Sequence, residues 1–203
     1  MTGCIFLVDL DGTLTRRELL PLIAKKFNLE ETIKELTYQC IRGEIPFVEG
    51  FLRRVEILKS IPISHIQEII ESVSLNESLV SFMQNNADRC YVVTGNLDVL
   101  VKPLCDKLKI SSYTSIAIHK NDFIQGVKSV LNKKQVIEKL RKYFSNRRFV
   151  AIGEGHNDAE MMGLADVAIA YGCVHPPANS VMATASHVIF DEEILCNFLK
   201  QLS

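Results

Sequence analysis

The 203-residue sequence has almost no net charge: 23 lysines and arginines face 24 aspartates and glutamates, a balance of -1. Nucleic-acid binding needs clustered positive charge, and this balance provides no electrostatic footprint for it. Paired cysteines are lacking too. Cys4, Cys40, Cys90, Cys105, Cys173 and Cys196 are scattered, with no C-x-x-C and no histidine at zinc-ligand spacing, and they read as small apolar residues in a reducing compartment. Long apolar runs are missing as well. Cys4 to Val8 is too short for a signal-peptide core and has no basic leader. The stretch from Val167 to Phe190 is uncharged but is interrupted by Gly172, Pro176, Pro177, Asn179 and Ser180, well short of a membrane span. The expectation is a soluble, cytoplasmic protein, a monomer or homodimer, with no nucleic-acid or membrane partner. Neither an internal repeat nor a low-complexity tract is present. At about 150 residues per domain, the length allows one large domain or a core with a modest insertion.

Changes of hydrophobic period organise what remains. Cys4 to Val8, Cys90 to Val93 and Arg148 to Ile152 are short apolar runs, each ending in a glycine-containing polar turn: Asp9-Leu10-Asp11-Gly12, Thr94-Gly95-Asn96 and Gly153-Glu154-Gly155. Strands buried on both faces look like this, and ligands bind where such strands end. Between the first two runs, residues 15–86 are helical in period. The apolar stripes are Leu19, Leu22, Ile23 and Phe27, then Ile33, Leu36, Cys40 and Ile41, then Phe47, Phe51, Val55 and Leu58. Ser64 with Gln67 resembles a capping box opening a fourth helix with Ile66, Ile69, Ile70 and Val73. One crossover helix suffices between parallel strands, so the surplus implies an inserted helical subdomain. Further on, Leu97 to Leu108 is helical in period. Ser115 to His119 and Phe123 to Val127 form a hairpin across Asn121-Asp122. Asn132 caps a helix with Val136, Ile137, Leu140 and Phe144; Val167 to Ala170 and His187 to Phe190 are strands; Asp191 caps a final helix. The fold class expected is α/β: a Rossmann-like parallel-sheet core, residues 1–14 and 76–203, with a helical cap, residues 15–75, inserted after the first strand.

Asp9 and Asp11 lie two apart at a strand end, so both carboxylates face the same side while Leu10 turns into the core. Two acids so placed call for a cation. With Mg²⁺, Asp9 can bind metal through one oxygen and attack phosphorus with the other, and Asp11 can protonate the leaving alkoxide and then activate water. Gly12 supplies the tight turn and Thr13 a hydroxyl donor to phosphate. Thr94 and Gly95 offer a hydroxyl and an unhindered N–H for a phosphoryl oxygen. Lys133 falls on the stripe of Val136 and Ile137, whereas Lys134 lines up with Glu138 and Arg141 on the wet face. A lysine turned inward at a helix N-terminus opposes the helix dipole and wants an anion. The Gly153 to Asp158 segment adds Glu154, Asn157 and Asp158. It is not a dinucleotide loop, because Asp158 stands where G-x-G-x-x-G needs its third glycine. His156 and His175 read as ordinary loop histidines.

The order D-x-D-G-T, T-G, Lys, G-E-G-x-N-D resembles the four motifs of the haloacid dehalogenase superfamily of phosphotransferases, and the match runs through nearly the whole chain, including the place of the helical insertion. More narrowly the sequence is similar to phosphoserine phosphatases. The resemblance implies Asp9 as nucleophile, Asp11 as general acid and base, and Lys133 as charge neutraliser. It implies a Mg²⁺ site, with Mn²⁺ as the alternative ion, drawn from Asp9, Asp11, Glu154 and Asp158. Thr94, Gly95 and Asn157, with Gly12 and Thr13, are assigned to phosphate, and Glu18, Phe47, Arg54 and Asn96 to substrate. Two positions depart from the family pattern: Glu154 stands where aspartate is usual, lengthening the arm in conflict with the rigid Mg²⁺ octahedron, and Asn96 replaces a common glycine.

The function expected is hydrolysis of a small phosphorylated metabolite, phosphoserine-like, through an aspartyl-phosphate. Alternatives are transfer to an alcohol, a sugar- or nucleotide-phosphate substrate, and a non-catalytic phospholigand-binding protein. On the third cap helix Arg54 is three residues after Phe51 and seven after Phe47, on the apolar face, while Arg53 can pair with Glu49 and Glu56 outside. An inward arginine suits a substrate carboxylate, and Glu18, at the junction of core and cap, suits an ammonium. The bland alternative is that Glu18 and Arg54 pair with each other or with cap neighbours.

Overall fold

A computed structural model describes residues 3–41 and 44–203. Gly43, and the side chains of Cys40, Ile41 and Phe47 in the expected stripes, lie outside the described residues. Strand β1 (Ile5–Val8) is followed by four helices, α1 (Leu19–Lys26), α2 (Glu30–Ile41), α3 (Phe47–Leu58) and α4 (Ile63–Glu71). The chain then enters α5 (Glu77–Gln84), β2 (Cys90–Leu97), α6 (Asp98–Leu108), β3 (Ser111–Lys120), β4 (Phe123–Ser129), α7 (Lys133–Tyr143) and β5 (Phe149–Gly153). It ends with α8 (Ala159–Met162), β6 (Val167–Tyr171), α9 (Asn179–Thr184), β7 (His187–Ile189) and α10 (Glu192–Leu202). One seven-stranded sheet has the order β4-β3-β2-β1-β5-β6-β7, parallel except for β4. The α/β core expected from the apolar runs is therefore present.

Alternation along β1 builds the two faces. Phe6 and Val8 join one apolar cluster with α5, α6 and α10, whereas Ile5 and Leu7 join another with α7, α8 and Val181 of α9. Phe6 meets Phe82 edge to face, with ring centres 5.2 Å apart. Register aligns the strand ends: Val8 faces Val92 on one side and Ile152 on the other. The polar turns after β1 and β5 and the last residues of β2 consequently open on the same edge of the sheet.

The four inserted helices leave and return at one point. Thr15 and Leu75 form an isolated antiparallel bridge, flanked by Arg16 N donating to Ser74 O at 2.8 Å and Asn76 N to Leu14 O at 2.9 Å. Arg16 also reaches Glu192 on α10 at 2.5 Å, and the other oxygen of Glu192 accepts from Ser78 N at 2.7 Å, capping α5 where Asn76 makes no cap of its own. Ile63, Ile66 and Ile70 of α4 are buried in the same cluster as Leu100, Val101 and Leu104 of α6.

Two local expectations differ. Ser64 and Gln67 make no capping box: α4 begins at Ile63 after Pro62, Ser64 N and Oγ donate to Asp122 at 2.9 and 2.6 Å, and Gln67 Nε2 donates to Val99 O at 2.7 Å. Tertiary partners on the hairpin turn and on α6 outbid the local pattern. The second strand does not stop at Val93 but runs on to Leu97 with a register shift, because β3 continues to pair beside it. The hairpin of β3 and β4 forms as expected. So do the caps of α7 and α10, where Asn132 accepts from Gln135 N at 3.1 Å and Asp191 from Ile194 N at 2.9 Å.

Candidate active site

The turn after β1 is wound tightly around Leu10, whose carbonyl accepts from Leu14 N and Thr15 N at 2.9 and 3.0 Å, while Leu10 itself is fully buried. Asp9 continues the sheet, its N–H donating to Ile152 O at 3.0 Å. Gly12 adopts φ +78°, which favours glycine, and a Cβ there would also crowd Glu18 Oε1 at 2.7 Å and Glu154 Oε1 at 3.2 Å. Asn76 Nδ2 donates to Thr13 O at 2.7 Å, tying this turn to the far end of the insertion.

Lys133 is the first residue of α7 and is buried. Its ammonium donates to Asp9 Oδ1 and, at 2.6 Å, to Asp158 Oδ1. The anion that an inward lysine needs is thus supplied twice, and Lys134 is exposed. Asp158 is clamped from the other side by Gly155 N at 2.9 Å and Glu154 N at 3.2 Å. Gly153 makes room for it, since a Cβ there would stand 2.4 Å from Asp158 Cγ.

Burial pushes Asp9 up to about 7, against the pull of Lys133. Glu154 is held well above the usual carboxylate range, first by burial and then by the charges of Asp9 and Asp158. Burial works to lower Lys133, but Asp158 and Asp9 outweigh it and hold the ammonium charged. Carboxylate oxygens of Asp9, Glu154 and Asp158 all lie within 4.8 Å of one another. Three buried hard oxygen donors around a single lysine leave negative charge in excess, and the donor set fits Mg²⁺ or Mn²⁺. Glu154 reaches the group despite its longer arm, because Thr13 Oγ1 donates to its second oxygen.

Two assigned residues have neighbours that the sequence does not announce. Thr13, assigned to phosphate, directs its hydroxyl at Glu154 because it is fully buried beside that carboxylate. Asp11, placed in the metal set, stands outside the three-acid group among the described residues; its Oδ1 accepts from Leu19 N at 2.7 Å, at the first turn of α1. The turn that sends Leu10 inward aims Asp11 at that helix end. Burial, with the nearby charge of Glu18, holds Asp11 well above the usual carboxylate range, the direction that suits a proton donor. Asn96 supplies it with a side-chain hydrogen bond and also reaches Thr94 Oγ1 at 3.1 Å.

Thr94, Gly95 and Asn157 come together across β2 and the turn after β5. Thr94 is buried, and a Cβ on Gly95 would lie 3.6 Å from Asn157 Nδ2. Ser115 carries no sequence signal of its role. Its hydroxyl donates to Gly95 O at 2.7 Å and accepts from Leu131 N at 3.0 Å, holding the end of β2 to the segment that delivers Lys133. His156 bonds Ser180 at the surface, as a loop histidine does. His175 instead reaches across to Glu18, Nε2 to Oε1, at 2.7 Å. No sequence signal joins two residues 157 positions apart. Arg54 on α3 turns its Nε to Gly50 O at 3.0 Å, and Arg53 pairs with Glu49 at 2.5 Å on the outside. The side chain of Phe47 lies outside the described residues.

Comparison with known proteins agrees with this geometry. The haloacid dehalogenase-like hydrolase family matches residues 6–163. A phosphoserine phosphatase of Methanocaldococcus jannaschii is 28% identical over 183 residues, spanning 85% of this chain and 86% of that protein. One of Mycobacterium tuberculosis is 25% identical over 201 residues, 94% of this chain but only 49% of that longer protein. A solved phosphoserine phosphatase, a phospho-aspartyl intermediate analogue, superposes with a TM-score of 0.81 at 25% identity, each chain covered completely. The chain belongs to the haloacid dehalogenase-like hydrolases and is an enzyme of their phosphatase branch.

Proposed function

We propose that this enzyme hydrolyses a small phosphorylated metabolite of the phosphoserine type through a phosphoryl group carried on Asp9. The observation that bears most of the weight is the buried ammonium of Lys133 held between Asp9 and Asp158 at the aligned ends of β1 and β5. Such a group offsets charge on a transferring phosphoryl, a reaction that asks mostly for positioning and electrostatics. An oxygen of Asp9 attacks phosphorus while the bond to the alcohol oxygen breaks. Asp11, whose hold on a proton is strengthened by burial, gives that oxygen its proton, then takes one from the water that attacks the phosphoaspartate and regenerates Asp9. Thr94, Gly95, Asn157 and the N–H groups beside Gly12 hold the phosphoryl oxygens. Asp9, Glu154 and Asp158 would hold Mg²⁺, or Mn²⁺, which supplies compensating positive charge when bound.

Residues 15–75 act, in this proposal, as the cap that selects the substrate, with Glu18 at its root and Arg54 on α3. Relatives bearing the name phosphoserine phosphatase support the substrate class. Cys4, Cys90, Cys105, Cys173 and Cys196 are all free, which suits a cytoplasmic setting, and no described helix is long and apolar enough to cross a membrane. A panel of phosphoserine, sugar phosphates, nucleotides and an aryl phosphate, assayed with Mg²⁺, tests the assignment. Phosphoserine should be hydrolysed, and Arg54→Ala should cost it about 2 kcal/mol or more in kcat/KM while changing an aryl phosphate far less. Good turnover of sugar or nucleotide phosphates with none of phosphoserine would overturn the substrate and leave the chemistry standing.

A further inference from the structure

His175 stands in the segment between β6 and α9, and its side chain crosses to the root of the inserted helices. Its Nε2 is 2.7 Å from Glu18 Oε1 and its Nδ1 is 3.1 Å from Pro176 O. Both partners are acceptors, a part-exposed carboxylate and a carbonyl. A ring that satisfies two acceptors carries a proton on each nitrogen and is the imidazolium cation. The hydrogen bond to Glu18 raises the ring to about 9, in agreement. The same Glu18 oxygen lies 2.7 Å from the place of a Cβ on Gly12, against the turn that carries Asp9 and Asp11. A cation belonging to the protein therefore sits beside the turn that carries Asp9 and Asp11, on the carboxylate assigned above to the substrate's ammonium.

The segment is built to present this ring. Ala178 N donates to Glu154 O at 2.8 Å, and Gly172 packs so closely that a Cβ would meet Phe190 at 2.5 Å and Pro177 at 2.9 Å. Pro176 and Pro177 restrict the backbone between. The pair itself remains accessible, with side-chain exposures of 41% for His175 and 34% for Glu18. Ion pairs so open to solvent are weak, which allows a ligand to displace the ring; a structural lock would be buried.

We propose that His175 is a specificity-determining residue that fills the ammonium position at Glu18, so that the pocket favours small phosphomonoesters carrying a carboxylate without a neighbouring ammonium. Zwitterionic phosphoserine enters only by displacing the ring. This rests on the phosphomonoesterase assignment above and narrows its substrate class.

The test compares kcat/KM for phosphoserine with that for its deaminated counterpart, 3-phosphooxypropanoate, in the wild type and in His175→Ala. The wild type should use the deaminated ester at least as well, and in His175→Ala the ratio should move by about tenfold or more toward phosphoserine as Glu18 is freed. His175→Gln, which keeps a neutral donor, should move it in the same direction, separating charge from shape. A ratio that stays put or moves the other way overturns the proposal, as does a wild type preferring phosphoserine by more than about tenfold. Failure of the phosphatase assignment looks different, as no turnover of either ester or of an aryl phosphate. Dissociation constants of the same two esters, measured by calorimetry on the wild type and both variants, then read the ratio without turnover, and absence of the shift there is equally decisive.

Discussion

The central strands and the inserted helices are built to different standards. Every residue of β1, β5 and β6 is buried, and the polar groups at the ends of β1 and β5 hold one another: Lys133 with Asp9 and Asp158, Thr13 with Glu154, the amides of 154 and 155 with Asp158. The insertion is anchored at its root by the Thr15–Leu75 bridge and by Arg16 on Glu192, but α3 leaves Val48 and Leu52 about half exposed, at 50% and 41%. Charge compensation and proton transfer need a fixed geometry in low dielectric. Recognition of the leaving group needs surfaces that open to admit it. On the proposed reading, the difference assigns the chemistry to the sheet, and the choice of substrate to the inserted helices together with the segment that carries His175.

Substitutions in the sheet should hit all substrates alike, and the largest such effect after loss of the nucleophile belongs to Lys133. Lys133→Ala should lower kcat on phosphoserine and aryl phosphate together by at least about a hundredfold, roughly 2.7 kcal/mol of barrier, whereas Lys134→Ala should be near neutral. Steady-state rates on both substrates check this, alongside melting curves to show that the variant is folded; small and equal effects would remove Lys133 from the site. Asp11→Asn should sharpen the comparison in a different way. It should slow formation of the phosphoenzyme by roughly 100-fold or more with an alkyl ester, within the usual range of general acid catalysis, but far less with an aryl leaving group that needs no proton. Pre-steady-state bursts measure that step, and equal loss on both esters would take the acid role from Asp11.

The smallest effect is expected at Glu154. Its carboxylate is held well above its usual range by burial, Asp9 and Asp158, so any proton that it keeps must be displaced when Mg²⁺ binds. Asp9, raised to about 7, should contribute as well. Titration calorimetry in buffers of different ionisation enthalpy should show proton release that shrinks as pH rises past about 7. Glu154→Asp, shorter by one methylene, should keep activity within about tenfold and bind Mg²⁺ at least as tightly. A large loss would mean that the longer arm, steadied by Thr13, is what the site requires.

Much of this is legible in the sequence itself. The period of two put Asp9 and Asp11 beyond a buried Leu10, and the helical stripe of Val136 and Ile137 turned Lys133 inward and Lys134 out; these follow from local geometry, and the strand register then gathers them. What escaped needed tertiary proximity. Ser64 and Gln67 look like a cap until Asp122 and Val99 compete for them. Thr13 finds its partner in Glu154, 141 positions on, which no local pattern announces. Asp11 meets the N-terminus of α1, eight residues on, a partner that its own short motif does not announce. His175 looks ordinary because its partner lies at the opposite end of the sequence, brought near only by the order of the strands.

The account stands or falls on whether Asp9 carries the phosphoryl group. Rapid quench of the Mg²⁺-loaded enzyme with phosphoserine or an aryl phosphate, followed by peptide mass spectrometry, measures this directly. The prediction is a transient phosphoryl group on the peptide containing Asp9, absent in Asp9→Asn, whose turnover should fall by more than about a hundredfold. Full turnover by Asp9→Asn, or a phosphoryl group found on another residue, would contradict it.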